Sequence, residues 1–153
     1  MNTLSTPLVE ALEQAFKEWS ELSDDINNQT DVVPHERGGR EFRWQTTEIG
    51  HIHWHGDLDI LFNRKLRTAL VEAGIVETHK WVPESGWTTF RLRQASGINT
   101  ALSLLRLSYL HKRLRKSTTE TERQEYASQL AQMPFPITVL TAAGALFTHE
   151  EAI

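Results

Sequence analysis

The chain has 153 residues, a formal net charge of −4 and no cysteine. Its length suits one domain over 1–153 with a substantial core, and its acidic balance argues against a nucleic-acid binder. The missing cysteines exclude a disulfide framework, thiolate metal ligands and a cysteine nucleophile.

Residues 1–6 lack the charged start and apolar core of a signal peptide. No apolar run approaches the ~20 residues of a membrane span. A soluble cytoplasmic protein without a membrane partner is expected. Thr6 and Pro7 suit the start of a helix. Leu8, Leu12, Ala15, Trp19 and Leu22 recur at helical spacing and predict a helix over 7–22, ended by Ser23-Asp24-Asp25 and Asn27-Asn28. Val32-Val33-Pro34-His35 reads as an extended lead-in, because the residue before proline avoids the helical region. Glu36 to Arg40 reads as a turn, and Glu41 to Gln45 alternates like a strand. Thr46-Thr47 then gives a hairpin connection into the next stretch.

That stretch, Glu48 to Ile60, carries the densest chemistry. As one continuous strand it places His51, His53, His55, Asp57 and Asp59 on one face. Gly50, Ile52, Trp54, Gly56, Leu58 and Ile60 form the other, apolar enough to cover a core. The polar face has three readings: a solvated strand face, a metal site, or a metal-free pocket. His-x-His sets two imidazoles about 7 Å apart along a strand. Asp59 or His79 would complete a divalent-metal set with them. Without metal, His51 and His53 suit acid–base work on a phenol or enol.

Asn63 is placed to cap a helix over 64–73, with Leu66, Ala69, Leu70 and Ala73 as its apolar stripe and Gly74 at its C-terminal end. Ile75 to Val82 reads as a strand, Pro83 to Gly86 as a turn, and Trp87 to Arg93 as the partner strand. Phe90 and Leu92 face the core, and Arg91 and Arg93 share the other face with Trp87. Ser96 is placed to cap a long helix running to Lys116. Thr119-x-x-Glu122 forms a capping box for a helix to Gln132, stopped by Met133-Pro134-Phe135-Pro136. The tail from Ile137 holds apolar residues enough for a short helix. The order predicts an α+β fold: a ββα-ββα core with a four-stranded, mainly antiparallel sheet and helices on one face. An N-terminal helix precedes it and a helical extension over 117–153 follows.

Several segments together resemble the small bacterial luciferase-family proteins, which share a domain with fungal luciferase. They are Pro34-His35-Glu36-Arg37-Gly38-Gly39-Arg40-Glu41-Phe42-Arg43, Glu48-Ile49-Gly50-His51-Ile52-His53, Ala73-Gly74, His79, and Pro83-Glu84-Ser85-Gly86-Trp87. The resemblance spans about residues 32–112. Fungal luciferase oxidises a hydroxylated pyrone with molecular oxygen, without a metal or organic cofactor. The resemblance implies that Glu48, His51 and His53 match its Glu-Ile-x-His-x-His stretch, and that His79 matches a His after a glycine-containing turn. The chain departs from that pattern where the luciferases carry a further His, roughly at Asp57-Leu58-Asp59. A membrane-anchoring N-terminal segment like theirs is not expected. The resemblance therefore implies the shared domain, not light emission.

The candidate catalytic residues are His51, His53 and His79, with no cofactor. Glu48, Trp87, Arg91 and Asp59 are candidate ligand contacts: Trp87 and Trp81 to stack on a flat molecule, Arg91 to neutralise an anion. Glu48 falls on the Gly50 and Ile52 side unless Gly50 allows a bulge. The alternatives are a metal-dependent enzyme using His51, His53 and Asp59, and a non-catalytic interaction protein whose contact surface is the helix end from Tyr109 to Lys116. The partner expected is a small molecule, and the sequence leaves oligomerisation open.

Overall fold

The computed structural model describes residues 6–22 and 29–147. The segments expected to end the first helix, Ser23-Asp24-Asp25 and Asn27-Asn28, lie outside them. Chain order is helix α1 (Thr6–Leu22), strands β1 (Thr30–Pro34), β2 (Arg40–Trp44), β3 (Thr47–Ile52) and β4 (Asp57–Leu61), helix α2 (Arg64–Glu72), strands β5 (Glu77–Thr78) and β6 (Trp87–Arg91), then helices α3 (Ile98–Arg115), α4 (Glu120–Ala131) and α5 (Ile137–Ala143). The class is α+β, as expected. The sheet, however, has six strands, not four, in the order β1-β2-β3-β4-β6-β5 with every neighbouring pair antiparallel.

Both extra strands have local causes. Val32 to Pro34 pairs with β2 and becomes the edge strand β1. Proline fits an edge because it has no N–H for a further neighbour. The stretch 48–60 is not one strand but a hairpin. His53 N–H donates to Asp57 O at 3.0 Å, and Gly56 N–H donates to His53 O at 2.8 Å. The three-residue loop Trp54-His55-Gly56 closes with Gly56 at φ +98°, where three-residue hairpins need a left-handed residue. By contrast, the strand expected over 75–82 shrinks to Glu77–Thr78. Beyond His79, whose N–H reaches Trp87 O at 3.3 Å, the chain leaves the sheet.

The helix signals at Asn63 and Thr119 act as read. Asn63 Oδ1 accepts from Leu66 N–H at 2.8 Å, and Thr119 Oγ1 accepts from Glu122 N–H at 3.1 Å. Gly74 takes φ +73° after α2. Ser96 does not cap α3. It lies in a short 3₁₀ turn, Ala95–Gly97, and the α-helix begins at Ile98.

The core lies between the sheet and α1 and α3. Phe42, Ile49, Ile52, Leu58, Ile60 and Leu92 are buried there with Phe16, Leu104 and Leu105. Phe16 meets Phe42 edge-on at 4.9 Å between ring centroids. Helix α3 comes so close to β3 that a Cβ on Gly50 would lie 2.9 Å from Ile60 Cγ1 and 3.0 Å from Leu105 Cδ2.

A bulge sits at the same place. Phe42 pairs with Gly50 but Arg43 pairs with Glu48, leaving Ile49 as the additional residue. Its carbonyl accepts from the buried Ser108 hydroxyl of α3 at 2.8 Å, so the break in the ladder leaves no orphaned acceptor there.

Helix α3 also carries a titrating group far from the His row. His111 is buried, and its Nδ1–H donates to Ala143 O at 2.9 Å, tying α3 to the end of α5. Its Nε2 is buried without a hydrogen-bond partner among the described residues. Burial holds the imidazole below its ordinary pKa, against the pull of the Ala143 bond. A folded pKa below the unfolded one means that the unfolded chain binds the proton first. The stability from neutral His111 is therefore complete above about pH 6.5 and is lost as pH falls through the lowered value. Urea unfolding should show the wild type losing more stability between pH 7.5 and 5 than His111→Asn. Equal losses would remove His111 from the acid response.

Candidate functional site

The polar residues of the β3–β4 hairpin share one face although two strands carry them. His51 lies directly opposite Asp59, and directly opposed residues of an antiparallel pair point the same way. Next to β4, Asp59 faces Thr89 and Asp57 faces Arg91. The bulge at Ile49 brings Glu48 onto this face too, instead of the core side.

Asp59 is the hub. Only 4% of it is exposed. Its Oδ2 lies 3.0 Å from His53 Nε2, 3.5 Å from His51 Nε2 and 3.5 Å from His79 Nε2. Its Oδ1 accepts from the Thr89 hydroxyl at 2.7 Å. Burial alone would raise the carboxyl pKa. The hydrogen bonds from His51, His53 and Thr89 outweigh burial and hold it well below the usual carboxylate range.

His51 stands between two carboxylates, with Nδ1 2.9 Å from Glu48 Oε2 and Nε2 facing Asp59. Burial disfavours its charged form. The bonds to Asp59 and Glu48 outweigh that penalty and push the imidazole up to about 9. Glu48 is held below its ordinary value: burial works against this, and the bond from His51 dominates. As an ionised acceptor it accepts the hydrogen bond from His51 Nδ1–H.

His79 is oriented differently. Its Nδ1 accepts from Trp81 N–H at 3.2 Å, so in the neutral ring the proton sits on Nε2, towards Asp59. Trp87 stands beside both rings, its centroid 5.6 Å from His51 and 6.2 Å from His79.

These groups form one side of a cavity of about 840 Å³. Arg37 from the β1–β2 loop and Lys80 and Trp81 from the β5–β6 segment also line it. Trp81 is 76% exposed. Among the lining residues five are Asp or Glu and three are Lys or Arg, so charges of both signs face the cavity.

The remaining residues of the row do not join the hub. Asp57 binds Arg93 Nη2 at 2.6 Å and His55 Nε2 at 3.2 Å near the hairpin tip. Arg91 lies at the rim and pairs with Glu77 at 2.5 Å. Two residues of the site were not singled out in the sequence for this role. Thr89 shares strand parity with Trp87 and Arg91, and only the β4–β6 register reveals its partner. His35, read as the end of an extended lead-in, stacks on His51 at 4.4 Å and meets His53 edge-on at 5.9 Å.

Residues 46–108 match the family model of the Luciferase domain. Over that stretch the chain is similar to the Luciferase domain. The matched span contains Glu48, His51, His53, Asp59, His79, Trp87, Thr89 and Arg91, whereas His35, α1, α4 and α5 fall outside it. Comparisons with curated proteins and with solved structures give no match. In this luciferase-like domain an acid, Asp59, therefore occupies the centre of the His cluster. No helix among the described residues is long and apolar enough to cross a membrane.

Proposed function

We propose that the luciferase-like domain binds a small, flat, enolisable molecule in the cavity over the His face and converts it, by oxidation with molecular oxygen or by hydrolysis. The observation that carries this reading is the convergence of His51, His53 and His79 on one buried carboxylate at the floor of a cavity walled by Trp87. The imidazoles offer hydrogen-bonding nitrogens to the polar edge of a ligand, and the Trp87 indole offers a ring face. Arg91 and Lys80 at the rim suit an anionic substituent. A concave site at the His row also weighs against a purely structural or interaction role.

The test uses 4-hydroxy-6-methyl-2-pyrone, titrated into tag-free protein while tryptophan fluorescence is followed. Saturable quenching is expected for the wild type. His51→Ala and His53→Ala should each abolish it while far-ultraviolet circular dichroism stays unchanged. Undiminished binding in both variants would sink the reading.

A further inference from the structure

We propose that His51, His53 and Asp59 form a binding site for one divalent first-row transition-metal ion at the cavity floor. The inference rests on the pocket reading only for the cavity that would supply the ion's remaining ligands. It stands whether or not a pyrone binds.

The first argument is distance. Donors about 2.1 Å from one ion lie about 3.0 Å apart at right angles and about 3.4 Å apart at tetrahedral angles. His53 Nε2 and His51 Nε2 lie 3.0 and 3.5 Å from Asp59 Oδ2. One donor atom from each of the three residues falls within 4.8 Å of the others. Both imidazole–carboxylate spacings are thus already at coordination distance.

The second argument is hydrogen-bond capacity. A carboxylate oxygen has about two lone-pair sites, yet three imidazole nitrogens crowd Asp59 Oδ2. A cation held jointly by Asp59 and the Nε2 atoms of His51 and His53 relieves the excess, with the Nε2 proton of His51 released to solvent as the ion binds.

The third is orientation. Glu48 accepts a hydrogen bond from His51 Nδ1–H and so directs Nε2 inward. Thr89 occupies Asp59 Oδ1 and leaves Oδ2 for an ion. Carboxylates and hydroxyls behind the ligands commonly fix metal-bound histidines and acids in this way.

The same reasoning excludes His79 from the ligand set. Its Nδ1 is engaged by Trp81 N–H, so Nε2 carries the proton and serves as a donor beside the ion. Two imidazoles and one carboxylate leave open positions towards the cavity, a donor set suited to iron(II), manganese(II), cobalt(II) or zinc(II) and poorly suited to calcium or magnesium.

Zinc(II) is the probe, titrated by calorimetry into tag-free, EDTA-treated and dialysed protein at neutral pH. One ion per chain is expected, with a Kd in the micromolar range or tighter. His53→Ala and Asp59→Asn should each weaken binding more than about 100-fold, and Glu48→Gln about 10-fold or more. His79→Gln should weaken binding by no more than about 10-fold, as a group beside the ion but outside the ligand set requires. Should a ligand variant fail to fold, ¹⁵N imidazole spectra of the wild type answer instead: zinc should move Nε2 of His51 and His53 and leave both nitrogens of His79 and His111 in place.

An absence of saturable binding would overturn the inference. So would a loss in His79→Gln equal to that in His53→Ala. Repeating the pyrone titration with and without zinc separates the two readings. Pyrone binding to a protein that takes no zinc defeats the metal site alone, and zinc binding without pyrone binding defeats the pocket reading alone.

Discussion

Gly39→Ala is expected to destabilise the protein by about 3 kcal/mol or more and to lower Tm by about 10 °C. Two penalties coincide at this position. Gly39 has φ +90°, where a side chain is strained. A Cβ would also lie 1.9 Å from Ile52 O and 3.0 Å from His53 Cα, both backbone atoms of the segment that carries the His pair. Neither can yield without shifting that segment. The loop cannot retreat easily, because His35 N–H donates to Gly39 O at 3.2 Å and Arg40 Nη1 donates to the same oxygen at 3.0 Å. The substitution should therefore also disturb the His35 ring stacked on His51. Gly74→Ala is the control. It has φ +73° but open space around the new methyl, and should cost only about 1 kcal/mol. Thermal unfolding of both variants checks the contrast. A Gly39→Ala protein that melts within 2 °C of wild type would contradict the packing described for this loop.

Asp59→Asn should be the most damaging conservative change in the site. It keeps the shape of the side chain, and its amide oxygen still accepts from Thr89. The other carboxylate oxygen becomes an NH₂ group, pointing donors at the Nε2–H of His79 and at the His51 and His53 rings. The expected cost in stability is about 2–3 kcal/mol, the range for a charge-assisted hydrogen bond lost from the interior. Pyrone binding should fall more than about 30-fold, because the imidazoles splay once their common acceptor is gone. The measurement pairs the fluorescence titration with thermal unfolding. Binding unchanged from wild type would remove Asp59 from the centre of the site. Asp57→Asn should cost less than about 1 kcal/mol, since Asp57 pairs with Arg93 and His55 near the solvent-exposed hairpin tip.

Local signals carried through where one residue decides one feature. Asn63 and Thr119 cap their helices because a cap needs only its own side chain and an amide three residues on. The face assignments of His51, His53 and Asp59 also held, although the strand that carried them was read wrongly. His53 opposes Asp57 across the hairpin, four residues on, so folding back preserved the alternation. What sequence could not supply was anything dependent on neighbouring strands. An acid near a turn ordinarily binds backbone amides. Asp59 instead became buried because β3, β6 and the segment after β5 close around β4. Thr89 acquired its role only through the β4–β6 register, and His35 only through the close approach of its loop to Ile52. The strand expected over 75–82 failed for the converse reason. Its alternating residues met no partner beyond His79, and alternation without a neighbour does not make a sheet.

The three-residue loop Trp54-His55-Gly56 also sets a rule for how this chain can change. Side chains alternate along β4, so inserting or deleting a single residue in that loop while the three-residue turn is kept would slip the pairing by one and turn Asp59 into the core and Leu58 out to the cavity. Length changes of two residues would keep both on their proper sides. The site should therefore tolerate variation in the sequence of its hairpin tip far better than odd changes in its length.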